Sequence, residues 1–171
     1  MTFEELSTAR YTQRSYDNKP VEDEKIQKIL QAGRVAPTAK NNQPQKVYVV
    51  QSPAAMDKLR KLTPCHYNAP LAMIICYDKN QQWHNPADES ITSGVEDASI
   101  VATHMMLQAA DLGVHSTWVN MFVPSETQKA FDLPGNEVPV LLMMFGYPTA
   151  SSAPAPAHAS KKPLSDTVKF L

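Results

Sequence analysis

Arg10, Thr12 and Arg14 stand at alternate positions in the stretch RYTQR. Alternate side chains of an extended segment leave the same face, so two guanidiniums and a hydroxyl can converge on one patch of space. Such a patch suits an anion. Each guanidinium presents a fork of donors to phosphate or carboxylate oxygens, and charge-assisted bonds of this type contribute roughly 1.5–3 kcal/mol each. The same residues also fit a solvated surface ladder with Asp17, Glu22 or Asp23 as partners.

A second polar cluster lies in APTAKNNQPQ, residues 36–45, where Thr38, Asn41, Asn42 and Gln43 are packed between Pro37 and Pro44. Prolines at both ends restrict the backbone, which holds these groups more firmly than in most loops. Amides carry donors and acceptors together and suit the edge of a heteroaromatic ring; an ordinary helix-to-strand connection is the plainer alternative. The glycines, at 33, 94, 113, 135 and 146, form neither G-x-G-x-x-G nor a P-loop, so an anion must be held by side chains. Cys65 and Cys76 lack C-x-x-C spacing, and His66, His84, His104, His115 and His158 show no metal-ligand spacing. Cys76 reads as a core thiol, and Cys65 as a loop residue with some scope for reactivity. No metal site and no catalytic side chain are predicted.

These groups need elements to position them. Thr2 and Glu5 form a capping-box pattern for a helix ending near Ala9, and helical spacing of Ile26, Ile29, Leu30 and Gly33 predicts a second helix over 22–36, closed by Pro37. KVYVVQ (46–51) reads as a strand, Ser52-Pro53 starts a helix, and LAMIICY (71–77) reads as a buried strand. NQQWHNPADE, residues 80–89, is a polar loop that could serve as a lid, with Trp83 able to stack on a planar substrate or simply to anchor the loop. From 91 to 112 the apolar residues step by four and three, which predicts a long helix that Gly113 stops. Its circumference is more apolar than a surface helix needs, so it is central or at a dimer interface. VHSTWV (114–119), SETQKAFDL (125–133) and VPVLLMMFGY (138–147) read as strand, helix and strand. Such apolar runs suit a sheet covered on both faces.

At 171 residues and 43% hydrophobic, the chain suits one domain, 1–171. Residues 148–163, rich in Pro, Ala and Ser, read as an extended arm, and 164–171 as a strand-like segment that docks on its own body or on a partner chain. The formal charge of -1 gives no global attraction to nucleic acid or an anionic membrane surface. The opening MTFEELSTAR has neither the basic start nor the apolar run of a secretion signal, and the expected location is the cytoplasm.

Taken together, RYTQRSYD, APTAKNNQP before a strand, EDASIVATHMMLQAADLG, STWVNMF, VPVLLMMFGYP and KKPL resemble, in order and spacing, the FMN-dependent nitroreductase family over essentially the whole chain. The resemblance implies an α+β fold with a mixed central sheet flanked by helices, in an intertwined homodimer with exchanged C-terminal segments. It assigns Arg10, Tyr11 (through its backbone), Thr12 and Arg14 to the phosphate and pyrimidine edge of bound FMN. Pro37, Thr38, Ala39 and Asn41 would reach the flavin bound mainly to the other subunit, Trp118, Val119 and Asn120 would lie along the ring, and Lys161 or Lys162 would add charge at the phosphate. It differs from the family pattern at Gln45, where a tryptophan is usual, and at Met121, where a glycine is common.

The implied activity is an FMN-dependent NAD(P)H oxidoreductase that reduces nitroaromatics, quinones or related small acceptors in two hydride-transfer half-reactions, NADH or NADPH serving as reductant. Other flavin chemistry on the same fold, dehalogenation or flavin fragmentation, and a non-redox anion-binding module are the alternatives. No side-chain acid or nucleophile is required by the first scheme, which agrees with the absence of a recognisable dyad.

Overall fold

The structure, a computed structural model, describes residues 1–171. Its helices are α1 (Phe3–Ala9), α2 (Asp23–Arg34), α3 (Pro53–Leu62), α4 (Gly94–Asp111), α5 (Pro124–Ala130) and the single turn α6 (Leu164–Thr167); its strands are β1 (Gln45–Val50), β2 (Leu71–Asp78), β3 (His84–Asn85), β4 (Asp88–Thr92), β5 (His115–Val119) and β6 (Glu137–Gly146). Four strands form the central sheet in the order β1-β2-β6-β5, every neighbouring pair antiparallel. The parallel component expected of a mixed sheet is one bridge, Thr12 against Ser116.

Alternate residues of β2 and β6 feed two separate cores, which explains why neither strand shows a polar face in sequence. Leu71, Met73, Ile75, Leu141, Met143 and Phe145 pack with Ile26 and Ile29 of α2 and with Ala98, Val101, Ala102, Met105 and Ala109 of α4. Ala72, Ile74, Cys76, Leu142 and Met144 pack on the opposite side with Tyr16 and with Met56 and Leu59 of α3. The result is a sheet between two helical layers. Fully burying each large apolar side chain contributes about 1.5–3 kcal/mol, so β2 and β6 dominate the stability of the domain. The α2–α4 crossing is close because Gly33 has no side chain: a Cβ there would lie 2.8 Å from Met105.

Local chemistry sets the boundaries. Thr2 and Glu5 form a reciprocal capping box on α1, Ser52 Oγ accepts the Ala55 N–H at the start of α3, and Gly113, at φ +71, turns the chain out of α4. The long helix begins at Gly94 rather than 91, since residues 84–92 pair as the β3–β4 hairpin and Ile91 belongs to β4. Trp83 and Ser93 close the hairpin's base: the Ser93 Oγ accepts the Trp83 N–H at 3.0 Å and the Ser93 N–H donates to the Trp83 carbonyl at 3.0 Å. The Trp83 backbone thus ties the loop to the start of α4. No helix is long and apolar enough to cross a membrane.

The arm lies along the amino-terminal segment. Gln13 Nε2 donates to Ser152 Oγ at 2.7 Å, and a ring nitrogen of His158 meets the Thr8 carbonyl at 3.1 Å. Beyond it the expected strand-like end is replaced by the α6 turn and an extended tail. Leu164, Phe170 and Leu171 are exposed in the isolated chain, as are Val95 and Ile100 of α4 and Val35 after α2.

Candidate functional site

The amino-terminal stretch is held extended by the free edge of β5. The Gln13 N–H donates to the Ser116 carbonyl at 3.1 Å, and the Thr117 hydroxyl donates to the Gln13 carbonyl. The Tyr16 hydroxyl, buried in the core, meets Thr117 Oγ1 at 2.8 Å and fixes the same register from behind. Gln13 is buried while Arg14 on the next residue is exposed, which is the alternation an extended segment dictates.

Thr12 and Arg14 line a cavity of about 150 Å³ together with Cys65, Tyr67 and the run from Thr117 to Met121. The structure thus brings two of the three amino-terminal groups to Trp118, Val119 and Asn120, more than 100 residues away in sequence. Arg10 lines a second cavity of about 190 Å³ under α1, with Tyr11, His115 and Ser116. The three groups do not share one patch in the single chain, because Arg10 is the C-cap of α1 and its N–H donates to the Leu6 carbonyl. Removal from water lowers the Arg10 pKa and that of His115. Tyr11 stands edge-on to the rings of His115 and His158, with centroids 5.1 and 6.2 Å apart.

Neither arginine is paired with a carboxylate. The ion pairs of the chain are Lys19–Glu22, Lys25–Glu22, Lys28–Glu24 and Arg60–Asp57. Glu22 also takes a hydrogen bond from the Tyr147 hydroxyl, which is the main cause of its pKa falling to about 2. Asp17 accepts the Lys19 N–H. The surface-ladder alternative loses its partners, and what is left is a half-buried guanidinium, a second one at a cavity mouth and a hydroxyl beside it. Thr12 and Arg14 together suit an oxyanion at the one cavity, and Arg10 offers a second, separate cationic donor at the other.

The wall facing Arg14 comes from the turn after α3. Thr63 Oγ1 accepts the Cys65 N–H at 3.1 Å, and Tyr67 and Asn68 take left-handed backbone angles, φ 48 and 59. The Tyr67 hydroxyl has its pKa raised, first by its bond with the Cys65 thiol and then by burial, with Arg14 pulling the other way. On the β5 side, Trp118 Nε1 donates to Asn120 Oδ1 at 2.6 Å and Asn120 Nδ2 donates to the Val140 carbonyl at 3.3 Å, so both side chains are fixed.

Pro37, Thr38, Ala39 and Asn41 lie apart from this cavity and line none of it. Their segment is nonetheless built with care: the Thr38 hydroxyl accepts the Gln43 N–H at 3.0 Å, and Lys40, Asn41 and Gln43 all have positive φ. Asp97, buried in the first turn of α4, accepts the Ala39 N–H at 2.8 Å and the Ser93 hydroxyl at 2.7 Å. Lys161 donates to the His158 carbonyl at 2.8 Å, and Lys162 is exposed. Sequence reasoning missed Tyr67, Thr117 and Asp97, whose roles depend on neighbours remote in the chain; Cys65 carried a faint signal in TPCHY.

The family model described as "Nitroreductase family" matches residues 8–67 and 64–147. A nitroreductase family protein from Clostridium difficile 630 is 39% identical, with a TM-score of 0.92 over 99% of this chain and 98% of that one. A protein of Archaeoglobus fulgidus, provisionally assigned as an NADH dehydrogenase/NAD(P)H nitroreductase, is 31% identical over 85% of this chain and 86% of its own length. An FMN reductase [NAD(P)H] of Bacillus subtilis is 27% identical over 84% of this chain, which spans 64% of that protein. An FMN-dependent nitroreductase from Clostridium difficile R20291 is 26% identical, with a TM-score of 0.77 and 98% of each chain covered. By sequence and by fold alike, this chain belongs to the nitroreductase family.

Proposed function

We propose that this chain is an FMN-dependent NAD(P)H oxidoreductase that acts as a homodimer on nitroaromatic, quinone or related small electron acceptors. One observation carries the reading: Arg10 and Arg14 have no carboxylate partner, and Arg14 and Thr12 open onto the cavity that Trp118–Met121 line. An oxyanion such as the phosphate of FMN supplies the missing charge. The names of the B. subtilis and C. difficile R20291 relatives, an FMN reductase and an FMN-dependent nitroreductase, point to the same cofactor.

In this reading Arg10, Thr12, Arg14 and the backbone of Tyr11 would hold the phosphate and the polar edge of the ring, with Lys161 or Lys162 adding positive charge. Trp118, Val119 and Asn120 would lie along the ring. At about 150 Å³ the cavity is well below the roughly 300–1,000 Å³ usual for a cofactor site, which supports a site completed by a second chain. Pro37, Thr38, Ala39 and Asn41, held by Asp97, are the groups it would bring. The exposed apolar residues Val35, Val95, Ile100, Leu164 and Phe170 give the two chains surface to bury.

FMN, when bound, supplies hydride acceptance and donation, which is why no acid or nucleophile is needed from the chain. The protein's own task is to grip the phosphate, order the ring against β5 and stabilise developing negative charge with guanidinium and N–H donors. Anaerobic addition of NADH or NADPH to the FMN-loaded protein tests this: bleaching of the flavin, and its return on adding a quinone, is the expected result. A flavin that stays oxidised with both nicotinamides contradicts it.

A further inference from the structure

Two sulfur atoms face one another across the mouth of the cavity. Cys65 Sγ lies 3.8 Å from Met121 Sδ, within reach of a weak S–H···S contact, and both residues line the cavity with Arg14 and Trp118. Their mobilities differ. Cys65 sits on a turn pinned by Thr63 and by the left-handed Tyr67 and Asn68. Met121 follows the last residue pair of β5, is 65% exposed and is unbranched, whereas its neighbours Trp118 and Asn120 are locked by hydrogen bonds. A flexible thioether tethered to a rigid wall makes an adjustable rim. Both side chains line a cavity of only about 150 Å³, so their contact limits how wide a flat guest can be.

We propose that Met121 and Cys65 form a sulfur-lined rim that determines which acceptors enter, favouring single-ring planar acceptors over fused-ring ones. The proposal rests on the reading of this cavity as the flavin and acceptor site. Removing the Met121 side chain opens the rim; removing the Cys65 thiol frees Met121 to swing away.

Met121→Ala and Cys65→Ala test it with two readouts. In the FMN-loaded enzyme, Met121→Ala raises kcat/KM for 1,4-naphthoquinone relative to 1,4-benzoquinone on the order of tenfold, and Cys65→Ala does so by less, the scale of discrimination that a few methylenes give in a pocket. In the chain without FMN, Met121→Ala speeds the reaction of Cys65 with Ellman's reagent severalfold, and added FMN slows it. Cys76, fully buried and with its thiol pKa raised to about 12 chiefly by burial, stays silent until the chain unfolds. The proposal is overturned if both variants keep the quinone preference within about twofold of the parent, or if the Cys65 rate ignores Met121. A parent chain that takes up no FMN overturns the underlying reading as well, and the absence of bound flavin identifies that outcome.

Discussion

The Asp97 carboxylate accepts the Ala39 N–H at 2.8 Å, tying the first turn of α4 to the segment that precedes β1. The carboxylate is buried, lies at the positive end of the helix dipole and also takes the Ser93 hydroxyl. Lys40, Asn41 and Gln43 hold left-handed angles next to it, a conformation that costs a non-glycine residue about 1–3 kcal/mol and persists only when its surroundings impose it. Asp97→Ala strands the buried Ser93 hydroxyl and the half-buried Ala39 N–H at about 1–3 kcal/mol each, and urea denaturation should register a loss of about 2–6 kcal/mol. Asp97→Asn keeps an acceptor and should lose less. Both variants should loosen residues 38–43, seen as faster amide exchange there.

Acid should weaken the fold before its carboxylates titrate. His115 is held below the usual histidine range by burial, and His66 by burial and then by Arg60. The unfolded chain takes up these protons first, so the stabilisation is complete above the ordinary value of about 6.5 and is lost as pH falls through it. Urea midpoints should drop between about pH 7 and pH 5, and His115→Gln should flatten part of that slope.

Deleting residues 164–171 should separate folding from assembly. Leu164 and Phe170 are 77% and 97% exposed in the single chain, so losing them removes little intramolecular packing. The thermal midpoint of the truncated monomer should stay near that of the parent monomer. Sedimentation equilibrium should show a weaker dimer, and FMN uptake should fall with it.

Much of this architecture is legible in the sequence where a pattern is local. LAMIICY and VPVLLMMFGY show no polar face because both sides of β2 and β6 are covered, and Gly113 marks the end of α4 because it alone takes φ +71 there. The β3–β4 hairpin was less legible, since its residues are mostly exposed and its base is fixed by Ser93, beyond the apparent loop. The helix expected from Ser125 starts one residue earlier, with Pro124 at the first position of α5 and the Thr127 hydroxyl donating to the Val123 carbonyl. At the site, the extended RYTQR and the strand STWVN could be found separately. Their meeting depends on the register of Thr12 against Ser116, which no local pattern encodes.

The grip of Arg10 and Arg14 on a phosphate is tested most directly by comparing FMN with riboflavin, which lacks that group. Isothermal titration into the dimer should show FMN binding about 10²–10⁴ times tighter, the equivalent of two charge-assisted contacts, and the gap should collapse in the Arg10→Ala/Arg14→Ala chain. Equal affinities for the two flavins in the parent chain, or a gap that survives the loss of both arginines, would contradict the account.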